Sequence, residues 1–400
     1  MTNATGDEDA GQNLSSLTIV DVSGGPAASF AGSLFADFGA VVVVVEPRGG
    51  APLRRLGPSA VQDVWWKIAA RNKRSLALDL AQSDAARVAA RLLDGADIVL
   101  RDGDTPAAWA DLIRNAPNIL DVHLHAPGAD RPDLWSGSID SRFAAAATGA
   151  MALTGDKDGP PCQAEFPLAD YCAGLLAATS ALIELRNARR EQRPPRAIAI
   201  GTHEALLRMN EWQVVFASAR GLAEQRNGNR FPMNANIGNI FRTRDSRLVT
   251  LSAATLPVAA RLLQLIGGEA LRDDPRFNSV AARRKHMDEL ELLVAAWIEQ
   301  HDMADVLRMG READVVIGPI MDAGDVMADP QVQARENVIR VPTDDGALAM
   351  PGIVPRINGM AAQVRHAGPA VGADSDQVLT HLGFAPPDIA ALRRAGAVWA

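Results

Sequence analysis

In the N-terminal part of the chain, the spacing of apolar residues switches repeatedly between the periods of strands and of helices. Residues 17–22 form an apolar run closed by Ser23-Gly24-Gly25-Pro26, a helical spacing follows, and residues 41–45 form a β-branched run that ends in Glu46. The pattern continues with helices predicted near residues 85–93 and 107–115 and strands near residues 97–100 and 119–124. This alternation predicts β-α-β units with parallel strands, and therefore a Rossmann-like α/β fold.

The pattern changes after two long predicted helices at residues 171–186 and 203–222. The strand candidates that follow are 237–243 and 248–253, and the helix candidates are 257–265 and 287–300. This mixture predicts a second, smaller α+β domain. The predicted boundaries are 1–225 for the N-terminal part of the large domain, 226–320 for the small domain and 321–400 for a C-terminal segment.

Composition disfavours several classes of protein. Apolar residues make up 48% of the 400 positions, which is enough to bury a full core. The net charge of −8 disfavours nucleic-acid binding, which needs a basic face. Two cysteines without neighbouring histidines predict neither a disulfide framework nor a metal site. A polar N-terminus, with no apolar run near the roughly 18 residues of a membrane span, predicts a cytoplasmic protein without a membrane partner.

One segment is strongly basic against this acidic background. Between residues 48 and 74, seven basic residues face a single acidic residue, Asp63. The seven are Arg48, Arg54, Arg55, Lys67, Arg71, Lys73 and Arg74. A solvated loop explains the segment most simply, but clustered Lys and Arg side chains also hold the phosphates of ligands. The residues alone leave both interpretations open.

The turn after the first strand has one feature of a dinucleotide site. Glu46 follows Gly24 by 22 residues, where an acid that binds a ribose would lie. However, the turn Ser23-Gly24-Gly25-Pro26 cannot be written as G-x-G-x-x-G. A nicotinamide cofactor is therefore disfavoured, and we predict a tight turn with proline in the first turn of the following helix.

Asp170 follows the turn Gly159-Pro160-Pro161 and precedes a long apolar helical stretch. A carboxylate at this position is typical of a helix N-cap, where it accepts hydrogen bonds from the first backbone N–H groups. The same position favours an ionised carboxylate, which can act as a nucleophile at neutral pH.

A series of short motifs runs along nearly the whole chain. They are Ile19-Val20-Asp21, Gly24-Gly25-Pro26, Ala36-Asp37-Phe38-Gly39-Ala40, Val45-Glu46-Pro47-Arg48-Gly49-Gly50, Asn72-Lys73-Arg74-Ser75-Leu76-Ala77-Leu78-Asp79-Leu80, Leu153-Thr154-Gly155, Asp170, Gly228-Asn229-Arg230, Asn234-Ala235-Asn236, Gly318-Pro319 and Asp329-Pro330. In this order they resemble the motifs of the family III CoA-transferases, the CaiB/BaiF family of formyl-CoA transferase, carnitine CoA-transferase and related acyl-CoA racemases.

The resemblance implies an enzyme that moves coenzyme A from an acyl-CoA donor to a carboxylic acid acceptor. It implies that Asp170 is the nucleophile, that an aspartyl-CoA thioester is the intermediate, and that CoA is a substrate rather than a tightly bound cofactor. It further implies an interlocked homodimer in which the small domain is an insertion. The CoA contacts that it implies are Val22, Ser23, Gly24, Gly25, Arg48, Asn72, Lys73, Arg74 and Ser75.

Two stretches depart from the family pattern. Relatives commonly read Asn-Phe-Arg-Pro-Gly, with an arginine that helps to hold CoA, where this chain reads Arg101-Asp102-Gly103-Asp104-Thr105. We expect Arg101 to serve in its place. Related racemases carry a histidine in the region that here reads Ser138-Ile139-Asp140-Ser141-Arg142-Phe143. Arg142 is a candidate for binding a substrate carboxylate, although a surface arginine is the simpler explanation.

Two other functions compete with transfer. A racemase or isomerase would use Asp170 as a base and would need a second base, for which Asp140, His123 and His125 are candidates. A CoA-binding protein without catalysis is suggested by the altered segment 101–105. For transfer, the candidate donors to a tetrahedral oxyanion are the backbone N–H groups near Gly24-Gly25 or at the helix start by Tyr171.

Overall fold

A computed structural model describes residues 13–57, 62–103, 105–125, 141–230, 237–357 and 362–399 of the chain. Its strands are β1 (Thr18–Asp21), β2 (Val41–Glu46), β3 (Arg74–Leu78), β4 (Ile98–Asp102), β5 (Leu120–His125), β6 (Ile198–Gly201), β7 (Ile237–Arg242), β8 (Leu248–Ala253), β9 (Val316–Pro319), β10 (Val338–Thr343), β11 (Gly346–Pro351) and β12 (Val398–Trp399). Its α-helices are α1 (Pro26–Asp37), α2 (Gln62–Ala69), α3 (Ala85–Asp94), α4 (Ala107–Arg114), α5 (Ser141–Ala147), α6 (Ala150–Leu153), α7 (Leu168–Glu191), α8 (Thr202–Met209), α9 (Glu211–Arg220), α10 (Leu256–Arg272), α11 (Val280–Lys285), α12 (Met287–Ile298), α13 (Met303–Glu312), α14 (Ala323–Ala328), α15 (Pro330–Ala334), α16 (Ser375–His381) and α17 (Pro386–Arg394).

Seven strands form one sheet in the order β12-β3-β2-β1-β4-β5-β6. The strands β1 to β6 are parallel to their neighbours, whereas β12 pairs antiparallel with β3. The strand order reverses beside β1, because β2 lies on one side of it and β4 on the other. Ligands of open parallel sheets bind beyond the carboxyl ends of the strands at such a point. The turns that follow β1 and β4 are therefore the place to look for a site.

Helices cover both faces of this sheet. The buried side chains of α1 and α7 pack on one face, and those of α3, α4, α16 and α17 pack on the other. Strands buried on both faces are rich in β-branched residues, as the run of valines in β2 illustrates. The predicted Rossmann-like α/β fold is confirmed.

Small residues bring α1 and α7 into close contact. A Cβ atom added to Gly174 would lie 2.5 Å from the carbonyl oxygen of Ala27 and 3.1 Å from the ring of Phe30. Glycine is therefore needed at this position for the backbones to approach. The contact fixes the N-terminal part of α7 beside α1.

The helix α7 corrects one sequence prediction. Its 24 residues are long and apolar enough, by length and composition, to cross a membrane, whereas the sequence was predicted to contain no such stretch. In its apolar window of 18 residues, 39% of the window is buried, and the buried positions of the helix include Ala173, Ala177 and Ala181 in the core against α1. Core helices of globular proteins meet the same criterion, so the length and composition of α7 are weak evidence for a membrane span.

The chain divides into two compact units. The first comprises Met1–Ala150, Ala164–Ala219 and Gln333–Ala400, and the second comprises Met151–Gln163 and Arg220–Val332. In the second unit β7, β8 and β9 form an antiparallel sheet whose core includes side chains of α10 and α12. The small domain predicted at 226–320 lies within this unit, which also takes in Met151–Gln163.

Some elements differ from the predicted ones. The helix predicted at residues 203–222 consists of α8 and α9, which are divided at Asn210. Asn210 has φ −100° and ψ 27°, outside the helical region, and asparagine has a low helix propensity. The strands β3, β6 and β12 were not predicted from the sequence.

Candidate active site

Asp170 is half-buried in the first turn of α7. The helix begins at Leu168 with Pro167 at the N-cap position, so Asp170 is the third helical residue and not the N-cap suggested by the sequence. Because α7 connects the parallel strands β5 and β6, it runs antiparallel to them, and its N-terminus lies at the carboxyl edge of the sheet. The partial positive charge of that N-terminus favours an ionised carboxylate.

Aromatic rings lie beside this carboxylate. The ring of Tyr171 is 4.7 Å from that of Phe30 on α1 and 6.3 Å from that of Phe166, measured between centroids. Burial and, secondarily, the negative charge of Asp170 raise the pKa of Tyr171. Apolar walls of this kind restrict the access of water to a reacting carboxylate.

The helix α5 packs on the first turn of α7. The backbone N–H of Ala169 donates to Oγ of Ser141 at 3.1 Å, and Ala144 packs with Ala169 and Leu206. Arg142, the second residue of α5, is exposed. Its guanidinium makes no hydrogen bond or ion pair with any residue that the structure describes. Arg142, which has no carboxylate partner among the described residues, is thus the neighbour in the chain of Ser141, which contacts the helix that carries Asp170.

A carboxylate fills the turn between β1 and α1. Oδ2 of Asp102, at the end of β4, accepts the backbone N–H groups of Gly24 at 3.0 Å and of Gly25 at 2.7 Å. A Cβ atom at Gly25 would lie 2.9 Å from the same oxygen. The sequence offered these two N–H groups as oxyanion donors, and the structure corrects this, because Asp102 already uses both.

The other residues of this turn are buried and hold its shape. The N–H of Val22 donates to the carbonyl of Leu100 at 3.0 Å, and the Val22 carbonyl accepts from Oγ1 of Thr105 at 3.1 Å. The N–H and the hydroxyl of Ser23 both donate to Oδ1 of Asp21, at 3.1 Å and 2.6 Å. Val22 and Ser23 were predicted to contact CoA. Their polar groups instead make hydrogen bonds within the fold.

Lys73 is fully buried beneath α1. Its Nζ donates to the carbonyl and the hydroxyl of Ser29, at 2.6 Å and 3.0 Å, and lies 3.6 Å from Oδ2 of Asp21. Burial lowers the pKa of Lys73, and the charge of Asp21 opposes this shift. A phosphate cannot reach an ammonium group in this position. The structure therefore gives Lys73 a structural place instead of the CoA contact predicted from the sequence.

Asn72 and Ser75 bind the C-terminal segment to the sheet. Oδ1 of Asn72, which has a positive φ of 60°, accepts the N–H of Arg365 at 2.7 Å. Oγ of Ser75 donates to Glu46 at 2.6 Å and accepts the N–H of Gly372 at 2.7 Å. Both were predicted to contact CoA, and both are buried among contacts within the fold.

Some cations of the basic segment form ion pairs with buried carboxylates, and others form no ion pair among the described residues. Three of its members form ion pairs with buried carboxylates: Arg54 with Glu46, Arg71 with Asp37, and Lys73 with Asp21. Arg48 and Arg55 are exposed and Arg74 is half-buried. Within the described ranges these last three form no ion pair. Of the seven predicted members of the phosphate cradle, Arg48, Arg55 and Arg74 thus lack an ion pair among the described residues, whereas the seventh, Lys67, has an interaction partner.

Arg101, proposed from the sequence as a substitute CoA contact, is paired with a carboxylate on the neighbouring strand. Its Nε and Nη2 donate to the two carboxylate oxygens of Asp121 at 2.7 Å and 2.9 Å. A bidentate pair of this kind neutralises the guanidinium. This placement removes the charge on which the prediction for Arg101 was based.

Histidines lie at the carboxyl ends of β5 and β6. The rings of His123 and His125 are 5.5 Å apart, and His203 is the second residue of α8, which begins directly after β6. Burial lowers the pKa of His203, Glu204 opposes the shift, and His125 adds to it. The sequence drew attention to His123 and His125 but not to His203. Asp140, the third candidate for a second base, lies outside the described residues, as does Asn234-Ala235-Asn236.

Asp102 and Asp21 were not identified as site residues from the sequence. The available signal was an aspartate at the end of an apolar strand, in β1 and again in β4. In the described part of the chain, no three potential metal ligands of the His, Cys, Asp and Glu types cluster together.

Comparisons with known proteins agree on one family. The profile of CoA-transferase family III matches residues 14–375. A succinyl-CoA–D-citramalate CoA-transferase of Chloroflexus aurantiacus is 31% identical over 95% of this chain and 96% of its own. A succinate–glutarate CoA-transferase of Agrobacterium fabrum is 26% identical over 92% of this chain and 95% of its own.

Solved structures share the fold. The crystal structure of a CaiB/BaiF family protein from Brucella suis has a TM-score of 0.80 and 22% identity, covering 93% of this chain and all of that one, 100%. A hypothetical protein of Mycobacterium tuberculosis has a TM-score of 0.77 at 22% identity, with 92% of this chain and 99% of that chain covered. Together with the profile match and the full-length similarity to named transferases, these findings show that the chain belongs to CoA-transferase family III.

Proposed function

We propose that this CoA-transferase moves coenzyme A from succinyl-CoA to a second dicarboxylic acid, with Asp170 as the covalent carrier. The observation that carries the proposal is the similarity, over 95% of the chain, to a transferase named for succinyl-CoA and D-citramalate. Other similar relatives are named for succinyl-CoA and L-malate or for succinate and glutarate. The donors and acceptors in these names are all short dicarboxylic acids.

Covalent transfer preserves the energy of the thioester. Asp170 attacks the succinyl thioester carbonyl, which gives a mixed anhydride and releases CoA as a thiolate. The thiolate then attacks the aspartyl carbonyl, giving an aspartyl-CoA thioester and free succinate. The acceptor carboxylate reverses the two steps and leaves as the new CoA ester. The position of Asp170 in the first turn of α7 supports this role, because the partial positive charge of a helix N-terminus favours an attacking carboxylate.

We assign the distal carboxylate of the dicarboxylic acids to Arg142. Its guanidinium is exposed, has no ion pair among the described residues, and belongs to the helix that contacts the first turn of α7. The replacement Arg142→Gln is expected to raise the KM for succinyl-CoA about tenfold or more, since an arginine–carboxylate contact is lost. The KM for butyryl-CoA, which lacks the distal carboxylate, should stay within about twofold of its wild-type value. Equal changes for both donors would contradict the assignment.

A transfer assay tests the substrate class directly. Purified protein is incubated with succinyl-CoA and one acceptor at a time, and the CoA esters formed are separated by liquid chromatography. We expect citramalate, malate, glutarate or another dicarboxylic acid to be converted, and butyrate and other monocarboxylic acids to be poor acceptors. Conversion of monocarboxylic acids alone would refute the proposed class.

We also propose that the protein works as the interlocked homodimer implied by its resemblance. Apolar side chains on α7 and α9 are strongly exposed, with Ile183 at 57% and Val215 at 65% of full exposure. Exposed apolar positions of this kind are typical of protein interfaces. Sedimentation should give twice the mass of one chain, and Val215→Glu should shift the population toward monomer. A wild-type protein that sediments as a single chain would refute the dimer.

A further inference from the structure

The end of the chain returns to the sheet as an edge strand. In β12, Trp399 lies opposite Ala77 of β3, and Ala77 lies opposite Glu46, the last residue of β2. Trp399 is therefore level with the carboxyl end of β2. Arg48 follows that end by two residues, so the start of the basic segment and β12 meet at one corner of the sheet.

The backbone of Trp399 is firmly held. Its carbonyl accepts the hydroxyl of Ser375 at 2.9 Å, and the adjoining Ala397 carbonyl accepts the N–H of Asp79 at 3.0 Å. A Cβ atom at Gly372, where φ is +69°, would lie 2.4 Å from the Trp399 carbonyl, so the surrounding segment packs tightly on it. The half-buried indole is thus positioned in advance, at a low further cost in conformational entropy.

One arginine without an ion pair among the described residues lies next to this indole, and a second reaches the turn that carries the first. The Arg48 guanidinium is 5.9 Å from the centroid of the Trp399 ring, at the outer limit of a cation–π contact. Arg55 donates to the Gly49 carbonyl at 3.4 Å, so it reaches the same turn. Both arginines are exposed and form no ion pair in the part of the chain that the structure describes. They differ in this from Arg54, which Glu46 neutralises.

An aromatic face beside two available arginines matches a ligand that has both a flat base and phosphates. We propose that Trp399 is the stacking residue for the adenine of CoA, with Arg48 and Arg55 as partners of its phosphates. This rests on the proposed function, in which an acyl-CoA is the donor. Because the Arg48 guanidinium lies as far as 5.9 Å from the indole centroid, it can rotate toward a phosphate when adenine stacks on the indole.

The kinetic test compares two donors that differ only in the nucleotide. Succinyl-CoA carries the 3′-phospho-ADP group, and succinyl-pantetheine does not. The variant Trp399→Ala should raise the KM for succinyl-CoA about tenfold, the size of one lost stacking contact, with kcat within about twofold. Its KM for succinyl-pantetheine should equal that of the wild type. The variant Trp399→Phe keeps an aromatic face and should recover most of the loss for succinyl-CoA.

A binding test does not depend on turnover. Titration with adenosine 3′,5′-bisphosphate should quench part of the tryptophan fluorescence of the wild type, because a stacked base quenches indole emission. The quench should disappear in Trp399→Phe and persist in Trp297→Phe, a control at another half-buried tryptophan, on α12.

The outcomes separate this inference from the proposed function. If the wild type transfers CoA from neither donor, the proposed function fails. If transfer occurs but Trp399→Ala changes the KM of both donors equally, or of neither, the assignment of Trp399 is overturned. Should Trp399→Ala fail to fold, the fluorescence titration decides. An unchanged quench in Trp399→Phe would overturn the assignment, and loss of the quench would support it.

Discussion

Replacement of Asp170 by asparagine is expected to lower kcat for CoA transfer by about 10⁴-fold or more, because the variant lacks the carboxylate that carries the acyl and CoA moieties in the proposed mechanism. The fold should persist. Asp170 is the third residue of α7, where the interaction of one charge with a helix N-terminus contributes about 0.5 kcal/mol, and asparagine keeps the size of the side chain. Initial rates with succinyl-CoA and the thermal midpoint, measured on the same preparation, check both parts of this result.

Asp158→Asn serves as the matched control for that variant. Asp158 is an exposed aspartate on the turn that precedes α7 in the sequence. Its loss removes the same charge and should leave kcat within about twofold of the wild type. Turnover by Asp170→Asn close to that of the wild type would exclude a covalent route through Asp170.

The second large effect concerns stability. The variant Lys73→Met should lower the free energy of unfolding by about 3–5 kcal/mol, because it leaves Asp21 buried without its counter-charge. The double variant Asp21→Asn/Lys73→Met removes both charges and should be more stable than Lys73→Met alone. Denaturant unfolding followed by circular dichroism measures all three proteins.

Arg74→Met is the control for Lys73, since it removes a positive charge at the next position. Arg74 is half-buried and has no ion pair among the described residues, so the expected loss is below about 1 kcal/mol. If Lys73→Met and Arg74→Met lowered the free energy of unfolding equally, the contact of Lys73 with Asp21 would make no specific contribution to stability.

The elements that form the centre of the sheet were predictable from the sequence. The β-branched run of β2 and the Gly24-Gly25-Pro26 turn before α1 are strong local signals, and the structure has both elements near the predicted bounds. The two-residue strand β12 has no such signal. It exists only because β3 offers an edge with which to pair, and this depends on the folded sheet.

The clustering of basic residues in the sequence did not predict which of them would be free of ion pairs in the folded chain. The carboxylates that neutralise Arg71 and Lys73 are Asp37 and Asp21, which lie tens of residues away in the chain. Neighbouring strands and α1 bring them together. The segment 48–74 contains Arg71 and Lys73 but not these two acids. It therefore appears in the sequence as a basic cradle, although part of it forms buried ion pairs in the structure.

Asp102 illustrates the same limitation for the candidate site. The sequence showed that segment 101–105 departs from the family pattern, but it could not show that the Asp102 carboxylate would accept the N–H groups of Gly24 and Gly25. That contact joins residues 78 and 77 positions apart, and it follows from the adjacency of β1 and β4. By contrast, the position of Asp170 near the start of a helix followed from local pattern alone.

Mass spectrometry of the peptide that contains Asp170 is the most direct test of the covalent mechanism. The protein is incubated with succinyl-CoA without an acceptor, treated with hydroxylamine and digested. If Asp170 carries the CoA thioester, hydroxylamine converts that residue to a hydroxamate, and the modification is absent from Asp170→Asn and from protein incubated without succinyl-CoA. An unmodified Asp170 peptide from a preparation that turns over, or a hydroxamate at another residue, would contradict the mechanism.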